Sequence, residues 1–371
     1  MGRCGIGRGG GSESAGSGEG PKKRMDEKKY FQIIDPDQRG PIAPLAPTCL
    51  YLEVTNTCNL TCKTCPLTYG RVESPALLTL DKVRFLVSQF PSATRIVLHG
   101  IGEPLLNKEL PQIISYLKAA AKYVLFNSNA TLLNAAWQEA LIDSQLDEYR
   151  VSLDATTPES YAEVRGKPMF PLILKNLRRF MALQKQRRAV KPRVSLWLTG
   201  LKETLAELPE FIRLAHRLGI GEVYLQRLVY WRDEHDDKLA TPEQSLFQSL
   251  RQEDEAIIQA SEDLAARLGI RFEASGATTP QQSVHREVAA RPWARCMRPW
   301  TVMYVTANGS VFPCCIAPFS AENLPSITLG NAFEQDLATI WNDERYQQFR
   351  LALLSDEPQP CCRGCGAQWS L

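Results

Sequence analysis

The sequence predicts an α/β chain: an open, partial barrel of six parallel strand–helix units, (β/α)6, followed by a small α+β domain. Three observations carry that prediction. Short apolar, strand-like runs alternate with longer segments of helical periodicity between residues 48 and 230. Six such units of roughly 30 residues fill about 180 residues, which is the length of that stretch, whereas a closed eight-unit barrel needs about 250. Finally, the 11 cysteines fall in two groups, at 58 to 65 and at 296 to 365, with only Cys4 and Cys49 outside them. A doubly wound open sheet is the architectural alternative.

Residues 1–45 read as a disordered or irregular tail. Up to Arg24 they are Gly- and Ser-rich, a composition that cannot bury apolar surface, and Met25 is an alternative translation start. A proline-rich stretch leads into the first strand, Leu50 to Val54. The partial, TIM-like barrel is expected over 46–235. Thr79 caps a helix through about Phe90, with Val83, Leu86, Val87 and Phe90 as its apolar stripe. Strands follow at Arg95–Leu98, Tyr123–Phe126, Tyr149–Leu153, Val194–Leu198 and Glu222–Leu225. Helices are expected near Glu109–Ala121, Ala135–Ser144, Phe170–Arg187 and Leu205–Leu218. Residues 236–290 read as a connection with a helix at Glu253–Leu268 and a bridging strand at Arg271–Glu273, and residues 291–371 as the second domain.

At 371 residues, 44% apolar, the chain has the length for two or three domains. A formal net charge of +2 provides no polyelectrolyte field, so neither nucleic acid nor membrane is an expected partner. The sequence shows no apolar run of transmembrane length and no hydrophobic signal core, so a cytoplasmic location is expected. In that setting the cysteines are metal ligands rather than disulfide partners.

The first group is Thr57-Cys58-Asn59-Leu60-Thr61-Cys62-Lys63-Thr64-Cys65-Pro66, a CxxxCxxC array on the loop after the first strand. Structural zinc takes four ligands. An iron–sulfur cube held by three thiolates keeps one iron open. A zinc knuckle is the competing reading. The array resembles the signature of the radical S-adenosylmethionine (SAM) enzymes, in which the open iron chelates SAM and the reduced cluster cleaves it to a 5'-deoxyadenosyl radical. Further motifs carry the resemblance over most of residues 48–230. His99-Gly100-Ile101-Gly102-Glu103-Pro104 is similar to the family's Gly-Gly-Glu-Pro motif. That implies SAM contacts from Gly102, Glu103 and Pro104, with the Glu103 carboxylate receiving the ammonium. Asn127–Leu133 is similar to an Asn-Gly-Thr-Leu-Leu turn with Ala130 in the glycine position, which argues against a positive φ there. By the same resemblance Ser152 and Arg165 contact the SAM carboxylate and ribose. Thr64 stands where the family usually has an aromatic residue, which leaves its backbone for any adenine contact, and Tyr224-Leu225-Gln226 reads either as core or as an adenine flank.

In the second group Cys296, Cys314, Cys362 and Cys365 stand as Cys-x17-Cys, a long gap, then Cys-x2-Cys. A hairpin is expected between them, from Trp300–Val305 to Ser310–Pro313 with its turn at Asn308-Gly309, and a later helix carries Leu337, Ile340 and Trp341. This resembles the Twitch domain, the short form of SPASM, and implies four thiolates on one auxiliary four-iron cluster. A Cys4 zinc site suits the same ligands, and the choice within Cys314/Cys315 and Cys361/Cys362 stays open. The expected cofactors are therefore one 4Fe-4S cluster with SAM and a second, auxiliary 4Fe-4S cluster. The expected activity is a radical SAM oxidoreductase that takes hydrogen from a small-molecule or peptide substrate and receives electrons from a donor such as flavodoxin or ferredoxin. A peptide maturase or epimerase and a non-enzymatic metal scaffold are the alternatives.

Overall fold

The computed structural model describes residues 38–363 and Cys365, apart from 71, 230–241, 248–249, 277, 286–289, 322 and 364. Most of the expected tail and the charge run Arg232–Asp237 lie outside the described residues. The barrel half runs β1 (Cys49–Leu52), α1 (Leu80–Gln89), β2 (Arg95–Val97), α2 (Leu110–Ala119), β3 (Tyr123–Ser128), α3 (Ala135–Asp143), β4 (Glu148–Ser152), α4 (Pro158–Arg165), α5 (Phe170–Arg187), β5 (Arg193–Thr199), α6 (Leu208–Leu218), β6 (Glu222–Gln226), α7 (Gln252–Leu268) and β7 (Arg271–Ala274). The remainder holds α8 (Pro280–Val284), α9 (Arg298–Thr301), β8 (Val302–Val305), β9 (Ser310–Phe312), α10 (Ala317–Ser320), β10 (Gly330–Asn331), α11 (Leu337–Trp341), α12 (Glu344–Leu354) and α13 (Pro360–Arg363).

Local chemistry explains the helices. The Thr79 side chain accepts from Lys82 N at 3.3 Å and starts α1. Val83, Leu86 and Val87 are buried behind it, each contributing roughly 1.5–3 kcal/mol before entropy is counted. Helix α4 is absent from the sequence reading because Tyr161 and Val164 are its only buried apolar residues. It ends at Gly166 with φ +77°, where a Cβ would lie 2.4 Å from the Thr61 carbonyl oxygen. That close approach braces α4 against the cysteine loop.

Every pairing from β1 to β7 is parallel, so the expected α/β partial barrel is present, and it is wider than six strands. The segment expected as a bridge, Arg271–Glu273, is a seventh parallel strand on β6. The second domain also shares the sheet. Its strand β8 is buried along its whole length and pairs parallel with β1, while β9 and β10 continue antiparallel. The complete order is β10-β9-β8-β1-β2-β3-β4-β5-β6-β7, with β10 and β7 at its two edges. Because β8 neighbours β1, the segment after β9 brings Cys315 into one cavity with the cysteine loop.

Candidate active site

The loop after β1 and the C-terminal ends of β2 to β6 enclose a cavity of about 250 Å³. Cys58, Cys62 and Cys65 line it together with Gly102, Glu103 and Ser128. Backbone contacts fix this arrangement. Glu103 N donates to Thr57 O at 2.9 Å, and Lys63 N donates to Val164 O at 3.1 Å. A Cβ on Gly102 would sit 2.2 Å from Thr55 O, so only glycine lets the second motif lie flat against the cysteine loop. Pro104 is buried at the start of a short 3-10 turn just behind it.

Donors already face the sulfurs. Leu60 N lies 3.5 Å and Asn129 Nδ2 3.8 Å from Cys58 Sγ, and Arg165 Nη1 lies 3.8 Å from Cys62 Sγ. Burial pushes the Cys58 thiol up to about 11 and the Cys65 thiol up to about 12. Ligation must therefore displace their protons. Among the described residues no three His, Cys, Asp or Glu side chains converge as ligands of a single ion.

Glu103 is 2% exposed. Its Oε1 accepts from Ser128 Oγ at 2.7 Å and Leu105 N at 3.1 Å, and its Oε2 accepts from Asn129 N at 2.7 Å. Burial raises its pKa and these three donors oppose the rise. A carboxylate has about four acceptor positions, so one is left on the cavity side. Arg165 is paired with Asp154 at 2.7 Å, yet its buried Nε has no partner. Ser152, at the end of β4, also faces the cavity. Thr64 and Gln226 line it too, whereas Tyr224 is half-buried and stacks on Trp197 at 4.0 Å between centroids.

The turn after β3 departs from expectation. Ala130 takes φ +57° in spite of its Cβ. The cost is offset by one local and one tertiary bond: its N–H donates to Ser128 Oγ at 3.0 Å and its carbonyl accepts from Asn176 Nδ2 at 3.0 Å. Asn176 lies on α5, which no local turn rule takes into account.

His99 is a cavity residue that the sequence displays only as the start of a motif. Asn127 N donates to its Nδ1 at 3.3 Å, which places the ring proton on Nε2. Burial, helped by Arg150 and Arg95, pushes the imidazole down to about 3. In the unfolded chain it titrates near 6.5, so below that pH the unfolded state takes up a proton that the folded state refuses. Stability from this group is full above 6.5 and falls as the pH drops toward 3, by roughly 2 kcal/mol at pH 5. Urea midpoints of His99→Gln are expected to lose that much less between pH 7 and pH 5 than those of the wild type; equal acid losses would refute the assignment.

The second group of cysteines surrounds a separate cavity lined by Cys296, Cys314, Cys361, Cys362, Cys365 and Arg298. Cys314 and Cys315 part company. Cys314 faces this second cavity, and Cys315 faces the first one with Ile316 and Phe319. Cys361 is buried and its Sγ lies 3.8 Å from that of Cys362. Arg298 Nη1 donates to Cys315 Sγ at 3.2 Å.

Comparison with known proteins adds what geometry alone leaves open. Residues 52–222 match the Radical SAM superfamily and residues 296–366 match SPASM, an iron-sulfur cluster-binding domain. The chain belongs to the radical SAM superfamily. It is 26% identical over 329 residues to the PqqA peptide cyclase of Gluconobacter oxydans, covering 87% of this chain and 83% of that protein. It is 22% identical to a tungsten-containing aldehyde ferredoxin oxidoreductase cofactor-modifying protein of Pyrococcus furiosus, covering 85% of this chain and 86% of that one. In fold it is similar to anSMEcpe with bound AdoMet, with a TM-score of 0.61, 15% identity and coverage of 84% and 81%. It is similar also to Streptococcus suis SuiB bound to S-adenosylmethionine, with a TM-score of 0.60, 17% identity and coverage of 82% and 68%.

As a radical SAM enzyme it binds a 4Fe-4S cluster and SAM in the barrel and auxiliary iron–sulfur in the second domain. The residues present fit these groups. Three thiols with donors toward their sulfurs suit anionic thiolates, and the unpartnered Nε of Arg165 suits a carboxylate. The remaining acceptor position of Glu103 suits an ammonium. Among the described residues, no helix of this radical SAM chain is long and apolar enough to cross a membrane. Two cavity residues, Arg298 and Asp154, are not marked as site residues by the sequence. Asp154 lies two residues after Ser152, whereas Arg298 is marked only by its place two residues after Cys296.

Proposed function

We propose that this radical SAM enzyme takes a hydrogen atom from a peptide bound in the first cavity and oxidises it, with the second domain accepting an electron. One observation carries the reading: the same cavity is lined both by the cysteine loop and by Cys315, Ile316 and Phe319 of the second domain. A substrate there adjoins residues of both cysteine groups. The names of the relatives, a peptide cyclase and a structure of SuiB with its precursor peptide SuiA, support a peptide over a small molecule. When bound, the cluster and SAM supply a 5'-deoxyadenosyl radical. Cys58, Cys62 and Cys65 hold the cluster; Gly102, Glu103, Pro104, Ser152 and Arg165 hold SAM; Cys296, Cys314, Cys362 and Cys365 hold the auxiliary cluster. The enzyme fixes the substrate carbon and directs one electron from it to the auxiliary site, while a flavodoxin- or ferredoxin-type donor supplies the electron that reduces the first cluster.

The cavity position of Cys315 favours one second reading, in which its thiol returns a hydrogen atom and the product is an epimer. One experiment tests both. Reconstituted, reduced protein is incubated anaerobically with SAM, and 5'-deoxyadenosine is expected; its persistent absence sinks the enzyme reading. With a substrate in hand, Cys315→Ala is expected to retain product formation. Lost activity with intact clusters, and solvent deuterium at carbon in the wild-type product, would favour the epimer.

A further inference from the structure

Arg298 stands between the two cavities. Its side chain lines the second one beside Cys296 and Cys314, while its Nη1 holds Cys315 Sγ, on the wall of the first, at 3.2 Å. Its backbone has little freedom. Pro299 and Trp300 next to it are buried, the Trp300 indole donates to Gly40 O at 2.9 Å, and Arg350 Nε donates to Pro299 O at 2.9 Å. The guanidinium is thus a permanent positive charge held against a cavity whose other polar lining is mainly thiol. Nothing in ligation requires it, since the five cysteines there already exceed the four thiolates of one cluster.

We infer that Arg298 is a positioning residue that raises the reduction potential of the auxiliary cluster and thereby makes the second domain an electron acceptor. A fixed cation beside a cluster stabilises the reduced state, which carries one more negative charge, relative to the oxidised one. The same guanidinium orients Cys315 at the substrate wall, so the substrate radical and the acceptor meet across one side chain. The overall step balances. The donor protein would supply one electron for SAM cleavage; the substrate would give a hydrogen atom to the 5'-deoxyadenosyl radical, forming 5'-deoxyadenosine, and then one electron to the auxiliary site and one proton to solvent. A carrier of the same flavodoxin or ferredoxin class would take up the electron held by the auxiliary site. This inference rests on the oxidative reading above for its purpose, though its measurement needs no substrate.

The test is an EPR-monitored redox titration of reconstituted protein carrying Cys58, Cys62 and Cys65→Ala, so that only the auxiliary signal remains. Adding Arg298→Gln is expected to lower the midpoint by at least a tenfold change in the reduced-to-oxidised ratio, about 59 mV for one electron. Arg298→Lys, which keeps the charge, is expected to stay near the wild-type value. An unmoved midpoint in the Gln variant with its irons retained overturns the inference. If the Gln variant fails to hold iron, the Lys variant decides: a wild-type midpoint supports the inference, and a lowered one or lost iron overturns it. A shifted midpoint together with a product that is not oxidised would leave the tuning intact and refute the oxidative reading alone.

Discussion

Reconstituted wild-type protein is expected to bind about eight irons, and the variant with Cys58, Cys62 and Cys65 replaced by alanine about four, with no 5'-deoxyadenosine formed. The loss is confined to one site because the two groups of thiols line separate cavities. The loop survives the substitutions because its shape comes from backbone bonds, such as Glu103 N to Thr57 O and Lys63 N to Val164 O, rather than from the sulfurs. Iron analysis with the 4Fe-4S spectroscopic signature checks this. Zinc in the remaining site would overturn the auxiliary assignment, and loss of all iron would show that the cavities are not independent.

What the sequence shows is what local chemistry decides. Helix α5 runs from Phe170 to Arg187 as its periodicity predicts, because Ile173, Leu177 and Phe180 form one buried stripe. The cysteine loop, the Gly102-Glu103 segment and Ser152 are each legible as motifs, and the structure brings them to a single cavity. Pairings between distant residues are not legible. Val302–Val305 reads as one arm of a hairpin, and nothing near it in sequence shows that its other edge meets Cys49–Leu52, some 250 residues away. The seventh strand is legible at Arg271–Glu273, but its parallel pairing with β6 is not, since the polar stretch after β6 interrupts the unit spacing. Ala130 shows tertiary bonds overriding a glycine preference. Cys314 and Cys315 show the same at finer grain. Adjacent residues are alike in pattern but point to different cavities, and only the placement of α10 and α13 separates their roles.

Glu103→Gln should weaken SAM binding at least tenfold while both clusters remain intact. Three protein donors meet the carboxylate from Ser128 Oγ, Leu105 N and Asn129 N. A glutamine amide retains one oxygen and places an N–H2 where the other oxygen accepted. One of those donors is then opposed by another donor in a site only 2% exposed, a conflict worth about 1–3 kcal/mol. The ligand loses more. A substrate ammonium facing the one remaining acceptor position makes a charge-assisted bond, and removing one partner of such a buried pair costs roughly 2–5 kcal/mol. Cluster binding is spared because, among the described residues, the hydrogen bonds of the Glu103 carboxylate come from Ser128, Leu105 and Asn129 and not from a cysteine side chain. Equilibrium binding of SAM to the anaerobic, oxidised protein separates the two contributions when compared with Ser128→Ala, which removes a protein donor and leaves the carboxylate charge. That variant should weaken SAM far less than Glu103→Gln. Equal losses would mean that Glu103 acts only by shaping the turn after β3, and unchanged affinity in both would mean that the motif does not bind SAM.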